Sequence, residues 1–184
     1  MPELPILRRI TDSIERASVL DKAVDLDVRA VRAVAKPKAL RQLLHGVPFG
    51  HPLHPLMVQV PLGAWISAAV LDAIGGKGNA KAAKTLVGVG VASAGTAATA
   101  GYVDWSELSR EQLRTGWVHQ AVNWVGITFY GLSWLQRRKG NHGAGKALGF
   151  AGLVVVSVGG YLGGHLSYRQ RAGVGSSDRV PFDD

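Results

Sequence analysis

Histidine is the residue type with most chemistry to offer in this chain. There are six, at positions 45, 51, 54, 119, 142 and 165, and no cysteine. Thiolate chemistry, disulfides and iron–sulfur ligation by the chain's own residues are therefore excluded. Imidazole suits zinc, copper, iron and haem iron. A bis-imidazole haem needs two histidines on different elements, facing each other across the ring, and small residues where the macrocycle lies. His54, His119 and His165, with the glycines around Tyr161, offer such a set, and the same three are the candidate ligands for a transition metal. Arg169, Arg110 and Arg114 are placed to neutralise propionates, and Asp104 to orient an imidazole from behind.

The elements that must position these residues are apolar spans. Four segments approach the roughly 20 residues that a hydrocarbon core requires: Leu56–Ile74, Thr85–Val103, Trp117–Leu135 and Ala147–Leu166. The second is built of small residues, and Gly88, Ala92, Gly95 and Ala98 define an expected close-contact face. The third carries Trp at both ends, as interfacial belts do. In the fourth, Gly159, Gly160, Gly163 and Gly164 form two overlapping small-xxx-small pairs. The connections are short, which predicts an all-α, up-down-up-down four-helix membrane bundle. No internal repeat is evident.

A net charge of +8 and a mean hydropathy of only +0.11 average two unlike regions. Residues 1–50 are basic and carry helical stripes such as Leu7, Ile10, Ile14 and Ala17, then Val24, Val28, Val31 and Ala35. These amphipathic helices are too charged to span a bilayer; they lie on its surface or pack against the bundle's end. With four apolar spans behind it, the positive charge suits lipid rather than nucleic acid. The N-terminus has no apolar stretch of the secretory kind.

Alternating chain direction converts spacing into geometry. His51 and His54 open the first span, Asp104 closes the second, His119 begins the third and His165 ends the fourth, so all five meet at one membrane face; His142 lies opposite. Polar stripes run inward from two of them: Asn123, Gly126, Tyr130 and Ser133 from His119, and Tyr161 and Ser157 from His165. Polar groups at membrane depth point into the bundle or a wet cavity. A plainer reading stays open beside the cofactor site: a rigid His-Pro turn at headgroup level, helix-end histidines bonding carbonyls, and glycines that serve packing alone. No G-x-S-x-G motif, phosphate loop or paired carboxylates appear, and the single buried-looking acid, Asp72, traces no ion pathway.

Four motifs carry a resemblance. Leu44-His45-Gly46 with Gly50-His51-Pro52-Leu53-His54-Pro55 and Val60-Pro61-Leu62-Gly63-Ala64-Trp65 is the first, followed by Gly101-Tyr102-Val103-Asp104-Trp105. Then come Gly116-Trp117-Val118-His119 with Asn123, and Gly160-Tyr161-Leu162-Gly163-Gly164-His165-Leu166 with Tyr168-Arg169. Over residues 10 to 175 the chain resembles an uncharacterised four-span bacterial membrane family, common in actinobacteria and often fused to a Rieske iron–sulfur domain. The resemblance implies a redox setting with a Rieske-type or other respiratory-chain partner. Gln59 departs from the Asp or His expected there in relatives.

The expectation is thus a basic helical segment at 1–50, a four-helix transmembrane domain at 51–168 and a polar tail at 169–184. It is a multi-pass plasma-membrane protein with cytoplasmic termini, monomeric or oligomeric. It binds haem b or a transition metal and passes electrons, or else anchors a larger respiratory complex as a non-catalytic subunit. No catalytic residue is assigned.

Overall fold

The computed structural model describes residues 4–173, all helix and connection with no strand among them; the expected C-terminal tail beyond residue 173 lies outside the described residues. Three short helices come first, α1 (Pro5–Glu15), α2 (Asp21–Val34) and α3 (Lys38–Leu44). A single turn, α4 (Leu53–Met57), runs into α5 (Gln59–Ile74), followed by α6 (Lys77–Trp105), α7 (Arg110–Arg138) and α8 (His142–Gly164), which a π turn at His165–Arg169 extends.

Local chemistry sets the boundaries. Pro37 stands at the start of α3, where its fixed φ suits a helix that has yet to begin. Gly75 and Gly76, with φ of +81° and +94°, stop α5 in a conformation that costs other residues dearly. At Ser109 the backbone N–H donates to Gln112 Oε1 at 3.0 Å, the reciprocal half of a capping box that starts α7.

Three stretches are long and apolar enough to cross a membrane: Leu53–Ile74, Lys77–Trp105 and His142–Arg169. The expectation of four apolar spans is met for those three. α7 has the same 29 residues as α6 but is less apolar, because His119, Gln120 and Asn123 dilute its hydrophobic run.

α5 packs on α6 and α8, and α7 packs on the same two. The hairpins α5–α6 and α7–α8 share one burial register. Pro61, Trp65, Ala68 and Asp72 are buried on α5, and Gly126, Tyr130, Ser133 and Arg137 on α7, each 65 residues further on. Ala83, Val87, Gly90, Ala94, Ala97 and Ala100 of α6 correspond to Gly145, Gly149, Gly152, Val156, Gly159 and Leu162 of α8, each 62 further on. Equivalent residues meet: Trp65 stacks on Tyr130 with centroids 4.1 Å apart and planes at 5°, and Asp72 pairs with Arg137. Such self-meeting positions define a local two-fold axis between the hairpins.

The internal repeat missed in the sequence is visible once this register is known. Lys77-Gly78-Asn79 recurs as Lys139-Gly140-Asn141, and Lys84, Leu86, Gly90 and Gly101 recur as Lys146, Leu148, Gly152 and Gly163.

Two expected faces are corrected. Of the expected face, Gly88 meets Trp134 of α7, but Ala92 and Gly95 are exposed, and the main contact face is the Ala83–Ala100 row above. On α8, Tyr161 and Ser157 are exposed, so the polar stripe drawn inward from His165 faces outward. In both helices small residues occur all round, so bulky neighbours such as Trp65 and Tyr130 set the rotation.

The amphipathic N-terminal helices cover one end of this assembly. Arg114 grips Asp21 with two bonds of 2.8 Å and the Glu15 carbonyl with a third; Arg110 reaches Asp25 at 2.6 Å, and Trp117 Nε1 donates to Asp27 at 2.9 Å. The guanidinium of Arg114 holds the Asp21 carboxyl below its usual range.

Candidate functional site

His54 is the second residue of α4. Its Nδ1 lies 2.9 Å from the Ala97 carbonyl of α6; a carbonyl only accepts, so Nδ1 carries the proton and Nε2 is the free-lone-pair nitrogen. The ring lies over Gly101, one turn beyond Ala97, where an added Cβ would stand 2.7 Å from Nδ1.

His119 of α7 repeats this joint. Its Nδ1 donates to the Gly159 carbonyl of α8 at 2.8 Å, and its ring lies over Gly163, where an added Cβ would be 3.0 Å from Cε1. His54 and His119 are register equivalents, and so are Gly101 and Gly163 and the carbonyls of Ala97 and Gly159. Asn123, one turn along, brings its amide nitrogen 3.2 Å from His119 Nε2 and fits against Gly159, where no Cβ could stand.

The other expected site residues are elsewhere. His165 is buried, but its Nε2 donates to Glu15 at 2.8 Å, which makes it a joint between α1 and the end of α8. Gln170 adds bonds to Glu15 at 2.8 Å and Thr115 at 3.1 Å in the same knot. Asp104 does not back any of the three candidate ligands: it binds His45 Nδ1 at 2.7 Å. His51 is exposed, and its carbonyl abuts Gly46, whose φ of +76° and missing Cβ (1.9 Å from that oxygen if present) make the turn possible. Arg169 lies at an open cleft with Arg8, Glu15 and His165. The triad of His54, His119 and His165 therefore resolves into a pair and a separate residue, and no three His, Asp or Glu side chains converge as metal ligands among the described residues.

Two features escaped the sequence reading. His45 bonds Asp104 and, at 2.9 Å, Glu107, and these carboxylates raise its pKa to about 9. Leu44-His45-Gly46 stood out as part of a motif, but nothing in the sequence joined His45 to two carboxylates 59 and 62 residues away. The second is the buried pair of Asp72 with Arg137, in which Nη1 donates to Oδ1 at 2.9 Å and Nη2 to Oδ2. Ser133 Oγ accepts from Arg137 Nε at 3.1 Å and donates to the Gly145 carbonyl at 2.6 Å. A lone acid in the first span and an arginine two residues past the third are the available clue in the sequence.

The polar groups thus line up along the local axis: two imidazoles, then the Trp65–Tyr130 stack, then the ion pair. Trp65 Nε1 and Tyr130 Oη are both buried without a protein partner.

A family model described as Predicted membrane protein (DUF2231) matches residues 50–176. No curated protein and no solved structure matches the chain.

Proposed function

The chain belongs to that family of predicted membrane proteins, and from this premise we propose a four-span, up-down-up-down module that holds haem iron between His54 and His119 and passes electrons to a partner chain. α7 completes the set of spans: it lies between two apolar helices in sequence and packs on both, and Tyr130, Ser133 and Arg137 are turned inward, as polar residues at membrane depth must be.

One observation carries the cofactor reading. Two register-equivalent imidazoles each give Nδ1–H to a backbone carbonyl over a glycine, which fixes both rings in the tautomer that presents Nε2 to a metal. Two such nitrogens suit haem iron, which takes its remaining ligands from the macrocycle; a tetrahedral ion would want more donors. Bound haem supplies one-electron chemistry. The chain's part is to hold the rings at a fixed orientation through the Ala97 and Gly159 carbonyls of α6 and α8.

A second reading has its own support: Asn123 already satisfies His119 Nε2, so the imidazoles also serve as helix joints of a non-catalytic membrane subunit. Absorption spectra of protein purified from haem-supplied cells separate the two. The haem reading expects a Soret band that His54→Ala and His119→Ala each abolish, while His142→Ala leaves it unchanged. A colourless protein that remains monodisperse and takes up no haem on titration overturns it in favour of the subunit.

A further inference from the structure

We infer that the cleft where α5 ends and α6 and α8 begin binds the phosphate of an anionic phospholipid headgroup. The inference rests on the membrane placement of the helices and is independent of the His54–His119 reading.

The cleft has a volume of about 360 Å³ and is framed by Leu71, Asp72, Lys77, Arg137, His142 and Lys146. Its one acid, Asp72, is consumed by Arg137 at the floor, so that pair contributes no net charge. Lys77 and Lys146 remain, with no carboxylate bound to either among the described residues. The wider surface has the same sign: besides the paired Arg137, residues 75–84 and 136–146 hold Lys77, Lys81, Lys84, Arg138, Lys139 and Lys146 and not one acid. A singly or doubly charged phosphate is the complement of such a surface.

Depth and lining point to lipid as the source. The cleft lies at the ends of three helices apolar enough to span, where headgroups reside. Below the lysines its wall is mostly apolar, with Leu71 and Ala80, a surface fitted to glycerol and the first acyl methylenes rather than to a freely hydrated anion. The first turns of α6 and α8, which carry no side-chain cap, add partial positive charge at the same place.

The test uses full-length protein purified in a neutral detergent and titrated with phosphatidylglycerol, phosphatidylcholine or inorganic phosphate, read as binding affinity and as the shift in thermal midpoint. Phosphatidylglycerol should bind and raise the midpoint where phosphatidylcholine does not. Lys77→Gln with Lys146→Gln should weaken that binding by about tenfold or more, while Lys22→Gln with Lys36→Gln, in the N-terminal segment at the other end of the helices, changes nothing. Lys77→Arg with Lys146→Arg should restore it, which separates charge from a folding defect. Equal binding of the two lipids, unchanged binding by the glutamine variant, or inorganic phosphate binding as tightly as the lipid would each overturn the inference. Alkaline extraction of cell membranes reports membrane residence separately, so a failure of placement is told apart from a failure of the site.

Discussion

At His45 one imidazole bridges two carboxylates, Asp104 Oδ1 at 2.7 Å and Glu107 Oε1 at 2.9 Å, and thereby fastens the linker after α3 to the end of α6. Carboxylates only accept, so both ring nitrogens donate and the ring is charged. Its pKa of about 9 lies above the ordinary 6.5, and the consequence for stability has a definite sign. The contribution is complete below about pH 6.5, where the unfolded chain is also protonated, and disappears as pH rises through about 9. Thermal midpoints between pH 6 and 9.5 should therefore fall for the native chain and fall less for His45→Gln; parallel curves would show that the bridge carries no stability. Gly46, the next residue, tests geometry instead of charge. With φ at +76° and the His51 carbonyl where a Cβ would stand, Gly46→Ala should cost more than about 1 kcal/mol. Gly95→Ala, with open space around it on α6, should be neutral or slightly stabilising by the same denaturation measurement.

Between elements, the Asp72–Arg137 pair joins α5 to α7 across the local axis, with side-chain exposures of 6% and 1%. Removing one partner leaves a buried charge alone, so Asp72→Ala or Arg137→Ala should each cost about 3–5 kcal/mol in a denaturant titration. Because the two positions are register equivalents, Asp72→Arg combined with Arg137→Asp should recover more than half of that loss. Recovery stops short of complete, since Ala68 stands where the swapped arginine would need the hydroxyl of Ser133. A swap as damaging as the single variants would count against the two-fold relation. The same pair shows what the sequence could reveal. Apolar runs announced the helices, and the inward row of Asn123, Gly126, Tyr130 and Ser133 was readable because polar residues in a span have few places to go. The rotation of α6 was not readable, since Gly, Ala and Ser occupy every side of it. The repeat was hidden for a related reason: where charged equivalents touch on the axis, identity would be poor chemistry. Two aspartates or two arginines would repel, and Asp72 with Arg137 is the complementary solution that erases the match. His54 and His119 were legible as candidates by type, but their carbonyl partners, 43 and 40 residues away, were not.

For the whole molecule, the remaining question is how it sits in the bilayer. The spans carry no strong directional signal of their own, because basic residues flank both ends. Among the described residues Lys36, Lys38, Arg41, Arg110, Arg114, Arg169 and Arg171 belong to one side, and Lys77, Lys81, Lys84, Arg137, Arg138, Lys139 and Lys146 to the other. Cytoplasmic loops collect the excess of such charge, and here the count balances. The N-terminal cap breaks the tie. It adds Arg8, Arg9, Arg16, Lys22, Arg29 and Arg32, and it is anchored to the α6–α7 end through Arg114–Asp21, Arg110–Asp25 and Trp117–Asp27. Translocating it would mean carrying six further cations across, and the face it covers must share its compartment. We therefore expect both termini and the His54–His119 end in the cytoplasm, with the Lys77–Lys146 cleft outside. Reporter fusions after Asp184 and within residues 139–141 check this directly: a phosphatase active only in the 139–141 fusion, with a fluorescent reporter bright only at the C-terminus, is the expected pattern. The reverse pattern means either an inverted orientation or an α7 that stays out of the bilayer, and a third fusion within residues 106–109 separates these. Equal activity at 106–109 and 139–141 would mean that α7 does not cross, and the four-span reading would then fall with it.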